Sequence, residues 1–420
     1  MKRVLASVLL LTAFAARAET PLAGDGALSL DQAVSVALQD NAELRSLRSK
    51  TLAMGERPAQ VGALPNPMAS YGGMDSESGG DWPNTAEKRI MVQQAFPWFG
   101  KRTLRKEIAV QEAEGAQRDL DAMTKDVVMR VKDSYSGLYA VRQVIAVTHE
   151  EEDVLGRMAT VAETMYAAGT RPQTDVLQLQ SEITLLKQKL LELRTQENTL
   201  LARLNLLLAR KPDFPVGPLE KPQDSPFNDD VDSLLFLAVK NRPEIQAAQA
   251  QIDRFGLEQK LMAKESLPDY TLGLEYRSLR EADDMLMFTV SVELPFWRTK
   301  NRAGVREAAS MQAASRAARE AAEQQSAFDV QDAAFQYQTA RRTLKLYRAE
   351  LVPQAEARFT ASEAGYRAGT VNFLDLLESE RFLLDAKTKT AMAEGTLGTQ
   401  AARLEWAIGA SVEPADKKPE

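Results

Sequence analysis

Apolar positions along this chain recur at two different periods. No proline interrupts Trp98 to Arg171 or Gln173 to Lys211, and Leu177, Ile183 to Leu186, Leu190, Leu200-Leu201, Leu204 and Leu207-Leu208 recur at three- and four-residue steps, the mark of a helix with an apolar stripe. The same is true from Phe296 to Val352 and from Pro353 to Pro414. At 1.5 Å per residue a helix of about 65 residues is about 100 Å long, so these stretches predict coiled-coil rods. Elsewhere the period drops to two. Tyr270, Leu272, Leu274 and Tyr276 alternate with Thr271, Gly273 and Glu275, and Leu286, Phe288, Val290 and Val292 alternate with Met287, Thr289, Ser291 and Glu293. These are two strands, 269–277 and 285–294, joined by a polar loop over 278–284. Residues 67–74 and 89–96, with a Gly/Pro-containing loop over 75–88, hold the same place in the first half with weaker alternation.

The two halves are copies. Thr160/Thr360, Glu163/Glu363, Tyr166/Tyr366, Ala168/Ala368, Gly169/Gly369, Thr170/Thr370, Asp175/Asp375 and Leu177/Leu377 are each 200 positions apart, and Asp31/Asp232, Ala37/Ala238 and Glu43/Glu244 are 201 apart. At Gly169 and Gly369 one helix ends and another begins. Glycine takes the left-handed C′ conformation without a Cβ penalty, and the next residue, Thr170 or Thr370, is expected to cap the following helix through its hydroxyl. Pro172 fits the first turn of that helix, where its missing N–H has no partner to lose. Ser29 or Asp31 is positioned to cap the first helix of all.

The expected organisation is a signal peptide over 1–18, a first structural repeat over 19–210, a Pro-rich linker over 211–229, a second repeat over 230–409 and a polar tail over 410–420. The signal peptide is read from Met1-Lys2-Arg3, the apolar run 4–15 and the small-x-small site Ala16-Arg17-Ala18. Composition agrees with long helices: 44% of residues are hydrophobic but only 6% aromatic, thin for several globular cores. The net charge of −7 becomes −10 once Lys2, Arg3 and Arg17 are removed, which argues against a nucleic-acid partner. There is no cysteine, hence no disulfide and no lipidated N-terminal Cys.

No run after the signal approaches the roughly 18 apolar residues of a transmembrane helix, so a membrane would be crossed by strands. Strands of about nine to eleven residues with apolar-out alternation suit an outer-membrane barrel. Phe96, Trp98 and Phe99, then Phe296 and Trp297, cluster where strands would meet the interface. Four strands cannot close a barrel, so further copies of the chain are expected to complete it.

No catalytic constellation, phosphate loop or metal motif is present, and no cofactor is expected. The single histidine, His149, stands in Thr148-His-Glu-Glu-Glu-Asp153 and reads as a solvated helix face. Met285 and Met287 read as packing or lipid-facing residues. Asp375 and Glu378, three apart, share a helix face; an aspartate in a first helical turn also favours the helix dipole with no pore at all.

A long helical hairpin and a strand hairpin, each present twice, resemble the outer-membrane efflux (TolC) family. The resemblance is carried by Tyr366-Arg-Ala-Gly-Thr370 through Leu374-Asp-Leu-Leu-Glu378, Leu30-Asp-Gln-Ala33, Leu64-Pro-Asn-Pro67, Leu267-Pro-Asp269 and Leu294-Pro295. It implies a mainly α fold with a small β part: helical hairpins forming a trimeric α-barrel, and four strands per chain contributing to a shared 12-stranded outer-membrane β-barrel. It implies a homotrimeric, non-enzymatic exit duct in the outer membrane of a Gram-negative bacterium, spanning into the periplasm and serving a periplasmic adaptor and an inner-membrane pump. Pro97-Trp-Phe-Gly-Lys-Arg102 resembles the heavy-metal-efflux branch that serves resistance-nodulation-division pumps. By the same resemblance Asp375 and Glu378 are the acids of the channel gate. Tyr366 and Asp175 belong to a latch whose basic position is Val371 here, with Arg367 and Arg171 as substitutes. Gly169, Thr170, Gly369 and Thr370 form the adaptor contact. Drug efflux or type I secretion through the same architecture, or a secreted coiled-coil scaffold without a pore, are the alternatives.

Overall fold

One succession of helices and strands is laid down twice. The computed structural model describes residues 28–74, 87–222, 227, 230–279 and 283–410. The first half holds α1 (Leu30–Asp40), α2 (Ala42–Gly55), α3 (Arg57–Gly62), β1 (Met68–Met74), β2 (Glu87–Phe96), α4 (Lys101–Ala167) and α5 (Gln173–Leu207). The second holds α6 (Val231–Asn241), α7 (Pro243–Lys264), β3 (Asp269–Leu279), β4 (Met285–Glu293), α8 (Arg298–Leu346), α9 (Val352–Arg367) and α10 (Phe373–Ile408). The signal peptide and nearly all of the polar tail expected from sequence lie outside the described residues, as does most of the first strand loop.

The strands form one antiparallel sheet in the order β1-β2-β3-β4. The halves meet at its centre, where Phe96 pairs with Tyr270, Val92 with Leu274 and Ile90 with Tyr276. Paired residues share a face, so Ile90, Val92, Leu274, Tyr276, Leu286, Phe288, Val290 and Val292 make one apolar surface, all exposed. The other face is polar: Glu87, Arg89, Glu275 and Arg277 lie together, with Arg277 Nη2 2.9 Å from Glu275 Oε1 and Arg277 Nε 3.1 Å from Glu87 Oε1. Met285 and Met287 pair with Arg277 and Glu275, so they lie on this polar face and not on the apolar one. β1 and β4 are the edges of this sheet, each with one open side among the described residues.

Lys101 fastens the halves together beneath the sheet. It is 2% exposed, and its Nζ lies 2.9 Å from Asp269 Oδ1, 3.2 Å from Glu265 Oε2 and 3.0 Å from Leu267 O. A buried ammonium needs such partners to offset its lost hydration.

The 67 residues of α4 are a rod about 100 Å long. α8 and α9 make the equivalent rod, joined by the π turn Tyr347–Leu351 in which the Val352 N–H donates to Tyr347 O. The cause is Pro353, which has no N–H to give and whose ring would strike the carbonyl one turn back. Apolar clusters are strung along the rods. Tyr135, Leu138 and Leu204 centre one with α1, and Tyr337, Leu344 and Leu404 centre its counterpart with α6. Tyr135 Oη lies 2.6 Å from Leu28 O and 2.8 Å from Glu220 O, which share its one proton, tying the linker to α4, and burial pushes its pKa up to about 12. α1 begins with a capping box on Ser29. In α5 the expected stripe is buried at Leu186, Leu190, Leu204 and Leu207, joined by Leu179 and Leu193, whereas Leu177, expected in it, is exposed.

Candidate gate at the helical tip

Both hairpin ends close by the same hydrogen bonds. Gly169 and Gly369 have φ of 70° and 77°, left-handed as expected. Gly169 N donates to Tyr166 O and Thr170 N to Met165 O; Gly369 N donates to Tyr366 O and Thr370 N to Gly365 O. These are the two bonds of a Schellman motif, which satisfies carbonyls at a helix C-terminus. The threonine hydroxyls donate backward to the same carbonyls, at 2.9 Å in Thr170 and 3.1 Å in Thr370. Thr170 and Thr370 therefore finish the preceding helix and do not cap the next one, contrary to expectation. The caps are Pro172, without a side-chain bond, and Asn372, whose Oδ1 accepts from Asp375 N at 2.8 Å.

From these ends the two halves reach for each other. Tyr366 is buried, while its counterpart Tyr166 is 46% exposed. The Arg171 guanidinium, from the α4–α5 turn, lies 4.6 Å from the Tyr366 ring centroid, and its Nη2 donates to Tyr366 O at 3.3 Å. Phe373 meets the same ring edge-on at 5.9 Å. Asp175 is buried beside them, and burial pushes its pKa up, opposed by Arg171. The Tyr366 hydroxyl is buried without a hydrogen-bond partner of good geometry; burial and then the Asp175 charge raise its pKa. The structure thus gathers Arg171, Tyr366 and Asp175. Arg367 stays outside, bonded to Glu363 one turn back on its own helix at 2.7 Å. Val371 packs instead on Gly365, so closely that a Cβ there would sit 2.4 Å from Val371 Cγ2.

Asp375 and Glu378 stand on one exposed face of α10, while Leu376 and Leu377 between them, and Phe373 just before, are buried. Arg358 of α9 donates to Glu378 Oε1 at 3.0 Å. Below, Arg381 of α10 bonds Glu182 of α5 through two nitrogens. Sequence reasoning missed Arg358 and Arg381, which are ordinary helix-face charges until the hairpins are aligned. It also missed Glu151, buried in α4 with Oε1 unpaired and its pKa raised to about 7 by burial, against the pull of Lys387 and Arg157. His149 sits on the exposed side of the same turn, 3.5 Å from Glu152.

Rods about 100 Å long joined to an amphipathic four-stranded sheet have the architecture of an outer-membrane channel protein. The sequence model described as "Outer membrane efflux protein" matches residues 33–210 and 234–410, and the chain belongs to that family. It is an outer-membrane channel protein spanning into the periplasm, not an enzyme. The chain is 24% identical over 384 residues to the cobalt-zinc-cadmium resistance protein CzcC of Cupriavidus metallidurans, covering 88% of this chain and 87% of that one. Among solved structures it resembles the outer-membrane channel OprN (TM-score 0.78, 19% identity, 91% of this chain and 90% of that one). It also resembles VceC of Vibrio cholerae (0.78, 17%, 91% and 97%) and CusC (0.77, 19%, 91% and 92%).

Proposed function

We propose that the chain is the exit duct of a tripartite efflux system, assembling as a homotrimer and passively conducting cargo handed over by a periplasmic adaptor and an inner-membrane pump. The observation that carries this reading is the sheet: one face is apolar and exposed, and among the described residues both edges are unpaired. In lipid every backbone group needs a partner, and further copies pairing β4 to β1 supply it. Three chains make twelve strands. In this reading Gly169, Thr170, Gly369 and Thr370 meet the adaptor, Tyr366, Asp175 and Arg171 latch the tip, and Asp375 and Glu378 ring the opening. The two repeats, 19–210 and 230–409, each contribute one hairpin to the wall, joined by the linker 211–229.

For cargo, the reading leans to metal cations exported by a pump of the resistance-nodulation-division type. Its support is the likeness to a cobalt-zinc-cadmium resistance protein along 88% of the chain. The test is to delete the gene in its own host and measure growth inhibition by cobalt, zinc and cadmium beside a panel of drugs. Metal hypersensitivity restored by the wild-type gene is expected. Unchanged metal tolerance with drug hypersensitivity would move the cargo to the drug class, and crosslinking that yields only monomer would sink the duct itself.

A further inference from the structure

The apolar side of β4 continues past the strand. Leu294, Phe296 and Trp297 are 57, 76 and 78% exposed, and the first, fifth and ninth residues of α8 are Arg298, Arg302 and Arg306. At one-turn spacing these form a row with steps of about 6 Å. α7 packs on the adjoining side of α8, with Met262 Sδ against Gly304, Asn301 Nδ2 on Glu265 O and Ala308 buried. The arginines stand along the rim of a groove of about 790 Å³ between α7 and the β4–α8 corner, where Leu294, Phe296 and Val305 supply apolar wall. Among the described residues none of the three guanidinium groups has a side-chain hydrogen bond or an ion pair.

The other half of the molecule provides a control. Arg102 Nε bonds Gly62 O just as Asn301 bonds Glu265 O, which aligns the starts of α4 and α8. In that alignment Phe99, Thr103 and Glu107 occupy the places of Arg298, Arg302 and Arg306. The first half also opens its helix with cations, Lys101, Arg102, Arg105 and Lys106, but Lys101 and Arg105 pair with Glu265 and Arg102 donates to Gly62 O. Among the described residues the row of three guanidinium groups without side-chain partners belongs to the second half.

We propose that Arg298, Arg302 and Arg306 bind the anionic headgroup of a phospholipid in the periplasmic leaflet of the membrane, with its acyl chains along Leu294 and Phe296. Guanidinium forks match phosphate oxygens in charge and geometry. Aromatic residues at the end of an apolar strand face mark the interfacial depth, and the row begins one residue beyond them. Basic residues at that depth attract anionic lipid. A merely solvated helix face would need no apolar groove at its edge. The inference rests on the outer-membrane location and is independent of cargo, adaptor and pump.

The test uses the full-length protein reconstituted in nanodiscs of phosphatidylcholine mixed with phosphatidylglycerol, extracted again in detergent, the retained lipids being counted by native mass spectrometry. Wild type is expected to retain phosphatidylglycerol over phosphatidylcholine by at least about tenfold, with about fivefold lost for each cation removed. Arg298→Gln/Arg302→Gln/Arg306→Gln should abolish the preference while still crosslinking as a trimer. Replacing all three by Lys should keep most of it, and so should Arg316→Gln, about 15 Å further along the helix. No preference in wild type, or the same preference in the triple Gln variant, would overturn the proposal. So would displacement of the lipid by inorganic phosphate, which would make this a free-anion site. A triple variant that no longer crosslinks would assign the row to a subunit contact and overturn it equally.

Discussion

Arg171 lies over the ring of Tyr366, 195 residues later in the chain, and donates to its carbonyl. The contact joins the two hairpin ends at the tip, and Asp175 completes it with a buried carboxylate. Within the proposed channel these three groups hold the hairpins together in the closed state. A partly desolvated cation–π contact contributes about 1–2 kcal/mol, which corresponds to a five- to thirtyfold shift between closed and open. Tyr366→Phe with Asp175→Asn, and separately Arg171→Ala, should raise single-channel conductance in planar bilayers. Arg367→Ala should leave it unchanged, because among the described residues Arg367 bonds Glu363 on its own helix and nothing across the tip.

The turn at Gly369 offers a different test. A Cβ there would meet no atom within 4 Å, although φ is +77°, so a substitution incurs only left-handed backbone strain of about 1–2 kcal/mol. Gly369→Leu should therefore assemble as wild type yet block efflux by obstructing the adaptor contact. Gly369→Asn, which tolerates this conformation, should be milder. Gly365→Ala makes the contrast, since its Cβ would collide with Val371 and loosen the tip itself. Efflux at the wild-type level in Gly369→Leu would place the adaptor elsewhere.

Much of this was legible in the sequence, and the exceptions have physical reasons. The period-two runs placed β3 and β4 within two residues of their ends, because a strand with one face in lipid must alternate. Gly169 and Gly369 were legible because few other residues adopt their φ. The role of Thr170 and Thr370 was misread because a threonine after a helix-ending glycine can bond backward or forward, and only the turn geometry selects. Leu177 was misassigned to the buried stripe because α5 carries leucines on more than one face, and composition does not say which face meets α4. Arg171 could not be preferred to Arg367 from spacing: both follow a tip tyrosine, and the choice depends on which turn crosses to the other hairpin. The ion pair of Arg358 and Glu378 joins two helices across a turn and has no local signature.

Glu151 should make tip stability depend on pH. Its folded pKa of about 7 lies above the model-peptide value, so the folded state holds a proton that the unfolded state has released. Stability contributed by this group is full below the unfolded pKa, falls as pH rises from about 4.5 to 7, and is flat beyond. The difference amounts to about 3 kcal/mol at most. Glu151→Gln should flatten that slope and stabilise the protein above pH 7. Thermal unfolding across this range, monitored by circular dichroism in detergent, checks it; parallel curves for variant and wild type would mean that Glu151 is solvated in the assembly.

Asp375 and Glu378 carry the last prediction. On each chain they occupy one exposed face near the start of α10, with Arg358 neutralising Glu378 from the side. If three copies bring these faces to one opening, six carboxylates meet three guanidinium groups, and the ring retains a net negative charge. Like charges at short range disfavour a bare ring and favour a bound cation or a proton. Hard divalent cations, which take oxygen ligands, should therefore block the opening. Asp375→Asn with Glu378→Gln should lower cation selectivity and remove divalent block in planar bilayers, yet leave the channel mostly closed, because the latch at Tyr366 is untouched. Arg358→Gln should act in the opposite sense, strengthening divalent block by exposing Glu378. Selectivity and block that survive both neutralisations would return Asp375 to the part of an ordinary residue in a helix's first turn, favoured there by the dipole alone.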